Sequence, residues 1–350
     1  MRVGVYAIAK DEQHHVKRWA QSAADADEIL LVDTGSTDDT VGEAVFNGVK
    51  VQRILVDPWR FDQARMMALF RCDPDLDYVI ALDLDEVLLP GWRAELERMH
   101  QRGVTRPRYK YTWSWNGSKP GLQYGGDKIH TRHDYVWRGA VHEVLTPKPG
   151  FVEVQEFCGL EIHHHPDSAK SRGQYLPLLE LAVREDPNDD RNAHYYAREL
   201  FFADRLDEAQ FEFERHLALP NAVWVDERAQ SMRYLFKITK DVRWLHRAYW
   251  EAPHRREAAV DAARFHYELG EWQECLLWAK RALEVERRPL TYLTEPEAWG
   301  PVAHDLAAVA AFNLGLFREA DWHGMEALKL DPYDPRLAAN VGFYRERVAA

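Results

Sequence analysis

Apolar and amphipathic segments alternate through the first hundred residues. Residues 2–9 (RVGVYAIA) form a nearly unbroken apolar run and predict a strand buried on both faces, and the mixed segment 12–24 predicts a helix. Residues 27–34 (DEILLVDT) predict a second strand, followed by a polar turn and a helix over about 38–46 that Asn47-Gly48 closes. A third strand is expected at 49–55 (VKVQRIL), a helix at 61–70 (FDQARMMALF), a fourth strand at 78–85 (YVIALDLD) and a helix at 92–100 opened by Pro90-Gly91. Strands and helices alternating in this way argue for a mostly parallel sheet covered by helices, with ligands beyond the carboxyl ends of the strands.

The pattern changes at Arg106. Residues 108–124 (RYKYTWSWNGSKPGLQY), 134–145 (DYVWRGAVHEVL) and 151–157 (FVEVQEF) are aromatic and strand-like, and Asn116-Gly117 is a strong hairpin signal. Tyr109, Tyr111, Trp113 and Trp115 alternate with polar residues, so one face is core and the other is available as a sugar platform. The β region is expected to close at 160–168 (LEIHHHPDS), and from Ser168 onward the pattern is helical. Residues 197–219, 263–285 and 310–330 share a form: a helix, a tight turn and a second helix with Ala near its end. Asp204, Gly270 and Gly315 occupy the turn, while 221–253 fits poorly. These segments resemble degenerate tetratricopeptide repeats, whose units stack because none buries its apolar face alone. Two domains are therefore expected, residues 1–167 and 168–350.

Composition narrows the function classes. The chain is 46% hydrophobic and 29% charged, as in a globular protein, and its formal net charge of −12 disfavours non-specific binding to nucleic acid or anionic membrane. Cys72, Cys158 and Cys275 are too widely spaced for a metal pair or a disulfide framework, which suggests a reducing compartment. No apolar run has the length of a membrane span, and the first ten residues are too strand-like for a signal peptide. The expected location is cytoplasmic.

Two segments carry candidate chemistry. In residues 30–40 (LLVDTGSTDDT), Asp33 ends a strand, and Gly35 and Ser36 lead into a helix whose free amides favour an anion. The plain alternative is a Ser/Thr/Asp capping turn. Residues 78–92 (YVIALDLDEVLLPGW) end a buried strand in Asp83, Asp85 and Glu86. Such a cluster is costly unless a cation sits among its members. Strand alternation would put Asp83 and Asp85 on one side and Glu86 on the other, so that the first two converge on a hard divalent ion.

Taken together, AIAKDE, ILLVDTGSTDDT, F-x-x-A-R and LDLDE, in this order, resemble family 2-type glycosyltransferases of the GT-A fold, particularly the bacterial and phage group carrying tetratricopeptide repeats. The resemblance implies an α/β nucleotide-sugar-binding domain followed by an all-α repeat domain. It implies that Ala7, Ile8, Lys10, Glu12, Asp33, Gly35 and Ser36 hold the nucleotide, and that Asp83 and Leu84 of the DLD segment lie against ribose and diphosphate. Asp85, with Asp83, would bind Mn2+ or Mg2+, joined by His164 or His163. Successive histidines of an extended chain alternate sides, so only one or two of residues 163–165 can face one ion. Arg65 stands where the family has an arginine followed by asparagine, but Met66 follows here; a donor contact and a solvated helix arginine are both open. In WRGAVHEVL, Glu143 is the candidate base, His142 its neighbour or a phosphate contact, and Asp134 a weaker candidate. A hydrogen-bonded His-Glu pair serving only the fold is the alternative.

The expected activity is metal-dependent transfer of a sugar, with inversion, from a nucleotide sugar, UDP by resemblance, to a hydroxyl or thiol. The acceptor could be a protein, peptide, glycan or modified nucleobase. The rival is a catalytically retired binding protein whose repeats recruit a partner. The helical domain would select the acceptor or form a homodimer.

Overall fold

The computed structural model describes residues 1–166 and 175–349. The chain separates into two compact units, Met1–Glu185 and Asp186–Ala350. The boundary expected between Asp167 and Ser168 lies outside the described residues.

The first unit begins with the alternation that its sequence predicts: β1 (Val3–Ala9), α1 (Gln13–Ser22), β2 (Glu28–Asp33), α2 (Thr40–Phe46), β3 (Lys50–Arg53), α3 (Phe61–Arg71) and β4 (Tyr78–Ala81). There follow β5 (Glu86–Leu88), α4 (Trp92–Gln101), β6 (Arg106–Thr112), the expected hairpin β7 (Trp115–Asn116) and β8 (Lys119–Pro120), then β9 (Gln123–Gly126), β10 (Ile129–Thr131), β11 (Tyr135–Arg138), β12 (Val144–Pro147), β13 (Gln155–His164) and α5 (Tyr175–Glu185). One sheet has the order β10-β4-β1-β2-β3, parallel except for β10; a second, mixed sheet has the order β5-β13-β6-β9. The fold class is therefore α/β with a mostly parallel central sheet.

Alternation along the strands builds a core on each face of the first sheet. Val3, Val5, Ala7 and Ala9 of β1, with Tyr78 and Ile80 of β4, pack with Trp19 of α1, Leu96 of α4 and Ile162 of β13. Tyr6, Leu30, Val32, Val79 and Ala81 face the other way, with Ala64 and Ala68 of α3 and Trp137 of β11. Burial on both faces explains the near-continuous apolar runs.

Two expectations change. The fourth strand stops at Ala81, and a turn at Leu84 and Asp85 precedes β5, so strand alternation does not govern the acidic segment. The strand expected at 151–157 starts only at Gln155, but it runs on through His164.

The second unit contains α6 (Asp190–Phe202), α7 (Leu206–Ala218), α8 (Val225–Thr239), α9 (Arg243–Glu251), α10 (Glu257–Leu269), α11 (Trp272–Leu283), α12 (Val302–Asn313), α13 (Phe317–Leu330) and α14 (Pro335–Ala349), with a short 3-10 turn at Pro296–Trp299. Successive helices pack in antiparallel pairs α6–α7, α8–α9, α10–α11 and α12–α13, with alanines at the interfaces, and α14 packs on the last pair. Asp204, Gly270 and Gly315 close the first helix of three pairs with φ of 59°, 71° and 76°, as expected from their place in the repeats. Lys240, at φ 58°, does the same between α8 and α9. Residues 221–253 fit the repeat pattern poorly in sequence because this turn residue is not one of the usual left-handed formers. No described helix is long and apolar enough to cross a membrane, and all three cysteines are free and buried.

Candidate active site

Because β1, β2 and β4 are parallel, the residues that follow them gather at one edge of the sheet whatever their separation along the chain. After β1, Asp11 takes a left-handed backbone (φ 54°). Its Oδ1 accepts the N–H groups of Thr37 (2.6 Å) and Asp38 (3.3 Å) and the Thr37 hydroxyl (3.1 Å). In return, Ser36 Oγ accepts the Asp11 N–H (3.0 Å) and Thr40 Oγ1 that of Glu12 (2.7 Å). The two loops are stitched into one ledge. The hydrogen bond from the Thr37 amide is foremost in holding the Asp11 carboxyl below its ordinary pKa. Asp33 is buried at the end of β2, where Oδ1 accepts the Ser36 N–H at 3.0 Å and Oδ2 lies 3.6 Å from Arg53 Nε. Gly35 supports this turn at φ 107°, a backbone that side chains disfavour.

Beyond β4 the three acids part company. Asp83 accepts from Arg65 Nη2 through Oδ1 (2.7 Å) and from Lys128 Nζ through Oδ2 (2.6 Å). Glu86 is fully buried beside it: Oε2 accepts the Asp83 N–H (2.9 Å), and Oε1 accepts from Tyr111 Oη (2.6 Å) and Lys128 Nζ (3.2 Å). Burial opposes ionisation of Asp83, but Arg65 and Lys128 overcome it and hold the carboxyl well below the usual range. Burial also pushes the pKa of Glu86 up, and there it prevails over Lys128. The repulsion expected to require a metal is thus relieved, at Asp83 and Glu86, by two of the protein's own cations. Glu86, expected on the opposite side, belongs to the cluster because the turn at Leu84 and Asp85 breaks the alternation.

Asp85 stands apart from those cations. Its Oδ2 lies 3.3 Å from Nε2 of His164, and its carbonyl accepts the His165 N–H at 2.7 Å. The His164 ring stacks on Trp113 (4.2 Å between centroids, 17°), with Nδ1 2.9 Å from the Trp113 carbonyl oxygen. Burial lowers the His164 pKa, yet the hydrogen bond and charge of Asp85 raise it on balance. His163 alternates away, with Nε2 2.9 Å from Glu161 Oε1. It does not join Asp85. Among the described residues no three His, Cys, Asp or Glu side chains already form a metal cage.

Arg65 is 4% exposed, so the solvated alternative is set aside. Its Nε donates to Glu143 Oε1, its Nη2 to Asp83, and its guanidinium lies 5.1 Å from the Trp137 ring centroid. Burial would lower the Arg65 pKa, but the two carboxylates raise it well above its ordinary value. Glu143 reaches it from the turn after β11, where Gly139 (φ 104°) and His142 (φ 50°) reverse the chain and Ala140 C=O accepts the Phe61 N–H at 3.0 Å. Oε2 of Glu143 makes no hydrogen bond to a described residue. His142 stacks on Tyr175 at 5.6 Å.

Other expected contacts lie elsewhere. Asp134 accepts from the Thr131 hydroxyl at 2.6 Å, and Thr131 pairs with Tyr78 at the start of β4. That is the opposite edge of the sheet from Asp83, which removes Asp134 as a base. Ala7 and Leu84 are core residues, and Ile8 is partly buried against the second core. Lys10 is exposed, and Glu12 lies 3.9 Å from His15. Lys128, which no motif marks, arrives because β10 pairs antiparallel with β4, and the backbone N–H of Ala81 donates to the Lys128 carbonyl.

No family model matches the chain. Among solved structures with partial likeness is glucosyl-3-phosphoglycerate synthase from Mycobacterium tuberculosis in complex with Mn2+, uridine diphosphate and glucosyl-3-phosphoglycerate. It is 20% identical over 37% of this chain and 57% of its own, with a TM-score of 0.29. The chain therefore spans less than two thirds of that enzyme. YrrB, a TPR protein with an unusual peptide-binding site, is 14% identical over 47% of this chain and 81% of its own, with a TM-score of 0.38. A thermophilic TPR protein of Thermus thermophilus is 18% identical over 50% and 89%, with a TM-score of 0.31.

Proposed function

We propose that the protein is a glycosyltransferase that moves a sugar from a nucleoside diphosphate, UDP by the resemblance of its motifs, to a hydroxyl or thiol acceptor. The observation that carries this reading is the gathering of the Asp11–Thr37 ledge, Asp33, Asp83, Asp85 and Glu143 around one sheet edge. There, one acid pair is neutralised internally and one acid, Asp85, is paired among the described residues only with an imidazole. Asp33 and the ledge suit the nucleoside. Asp85 is an oxygen donor of the kind that Mn2+ or Mg2+ accepts, His164 beside it adds an imidazole that suits Mn2+ better than Mg2+, and these are the residues that would hold the ion. Such an ion, when bound, stabilises the negative charge that grows on a departing diphosphate. Asp83, with both oxygens taken by Arg65 and Lys128, serves instead to orient those cations toward the same charge. Glu143 has one oxygen fixed by Arg65, and its Oε2 is the group we assign to take the acceptor proton. A single base opposite the leaving group fits direct, inverting displacement.

Calorimetry tests the reading. Wild-type protein is expected to bind UDP with Mn2+, and Asp85→Asn to bind it about tenfold more weakly, a difference of about 1.4 kcal/mol. Metal-dependent UDP binding that is unchanged in Asp85→Asn would overturn the metal assignment. Absence of UDP binding by the wild type would overturn the donor.

A further inference from the structure

In the second unit, neighbouring helix pairs are joined by short connections: residues 219–224 lead into α8, 252–256 into α10 and 331–334 into α14. The link between α11 and α12 is different, running from 284 to 301. Before the 3-10 turn at Pro296–Trp299, residues 284–295 carry no helix or strand, and connections of that length are uncommon in compact domains and tend to be functional.

Residues 291–299 of this link lie across side chains of three successive pairs, each contributed by the first helix of its pair or the residues just before it. From the first pair, Tyr195 stacks on Tyr292 (6.1 Å, 17°). From the second, Glu227 Oε1 accepts the Tyr292 hydroxyl at 2.6 Å, and buried Arg233 donates to Glu295 from Nη1 and Nη2 (2.8 and 2.9 Å) while its Nε donates to Asp261. From the third, Arg255 donates to the Leu293 carbonyl (2.7 Å), and Glu257 accepts the Glu295 N–H (3.1 Å). Main chain and side chains of the segment are read together, which is the way an extended peptide is recognised. The concave faces of stacked helix pairs are suited to that task.

The contacts are also of an exchangeable kind. Buried ion pairs add little net stability over their desolvation cost, whereas the helix pairs are held by alanine-rich interfaces, to which the link adds Ala298 and Trp299 from outside residues 291–297. We infer that residues 291–297 are a strap occupying a peptide-recognition face, and that a partner protein presenting an extended aromatic-x-x-carboxylate segment displaces it. Tyr292 and Glu295 define that pattern. This inference is independent of the chemistry proposed for the first unit.

The probe is a labelled peptide with the sequence of residues 288–299 (RPLTYLTEPEAW), titrated into the full chain. Binding to a site that is only fractionally open is weakened by that fraction, so the strap-released variant Tyr292→Ala/Glu295→Ala is expected to bind the peptide at least about tenfold more tightly than wild type. A peptide carrying Tyr292→Phe and Glu295→Gln is expected to lose that binding. Equal or absent binding in a released variant that keeps its helical circular dichroism and a cooperative melt would overturn the inference. A second measurement needs no variant: in wild-type protein, amides of 293–295 should exchange hydrogen through local opening, faster than those within α8 and α10. Exchange of all three segments at the same rate would equally overturn it.

Discussion

Arg65 offers the sharpest test of how the acidic site is held together. Its guanidinium is 4% exposed and neutralises Asp83 and Glu143, two carboxylates from different elements that both lie in the same cluster. Arg65→Met keeps the length and apolar stem but leaves those acids facing each other with Lys128 alone, and Lys128 bonds only Asp83 and Glu86. Removing one partner of a buried pair costs about 3–5 kcal/mol, whereas a solvated surface pair is worth less than about 1 kcal/mol. The lower end of the first range applies, because Nη1 of Arg65 is buried without a hydrogen-bond partner among the described residues and already costs the folded state something. The expected loss is therefore about 3 kcal/mol. Native-state hydrogen exchange of the β1 and β4 amides reads it directly for the first unit, and adding Glu143→Gln to Arg65→Met should restore about half, since one of the two unpaired charges is then gone. A loss below about 1 kcal/mol for Arg65→Met would refute the reasoning. The carboxylates would then be compensated by solvent rather than by the guanidinium.

Glu143→Gln should lower sugar transfer by about a hundredfold or more while leaving UDP affinity within about twofold, because an amide keeps the shape but cannot accept a proton; transfer within a few-fold of wild type would exclude Glu143 as the base. In the second unit, burial pushes the Glu227 carboxyl up to about 7 and the His216 imidazole down to about 4, and the two side chains lie 3.9 Å apart. A raised acid loses stability as pH rises from its ordinary value through about 7, and a lowered histidine loses stability as pH falls from its ordinary value through about 4, so between them the two trends offset. Glu227→Gln should unmask the histidine, with melts showing stability falling by on the order of 3 kcal/mol between pH 6.5 and 4, at about 1.4 kcal/mol per pH unit. A pH profile identical to that of wild type would refute the opposed titration.

Local pattern was enough for much of this protein. The near-continuous apolar runs of β1, β2 and β4 encode burial on both faces, and the parallel order follows from their alternation with helices. Asp204, Gly270 and Gly315 mark repeat turns because a left-handed residue is a local requirement of the backbone. The alternation that separates His164 from His163 is local as well, since period two holds wherever the chain stays extended, and β13 is extended through both residues. It failed at Asp83, Asp85 and Glu86, where the strand stops at Ala81 and the side chains are aimed by a turn.

What neutralises those acids belongs to the tertiary structure. Arg65 lies on α3 and Lys128 precedes β10, and they converge on Asp83 only because α3 packs on the sheet and β10 runs antiparallel to β4. Asp134 and Glu143 differ by nine positions, yet β11 lies between them, and they end at opposite edges of the unit. The strap at 291–297 has the same origin. Tyr292 and Glu295 read as ordinary loop residues until the stacking of three helix pairs brings Tyr195, Glu227, Arg233 and Arg255 within reach, because contacts between distant segments are set by packing rather than by the period of any one segment.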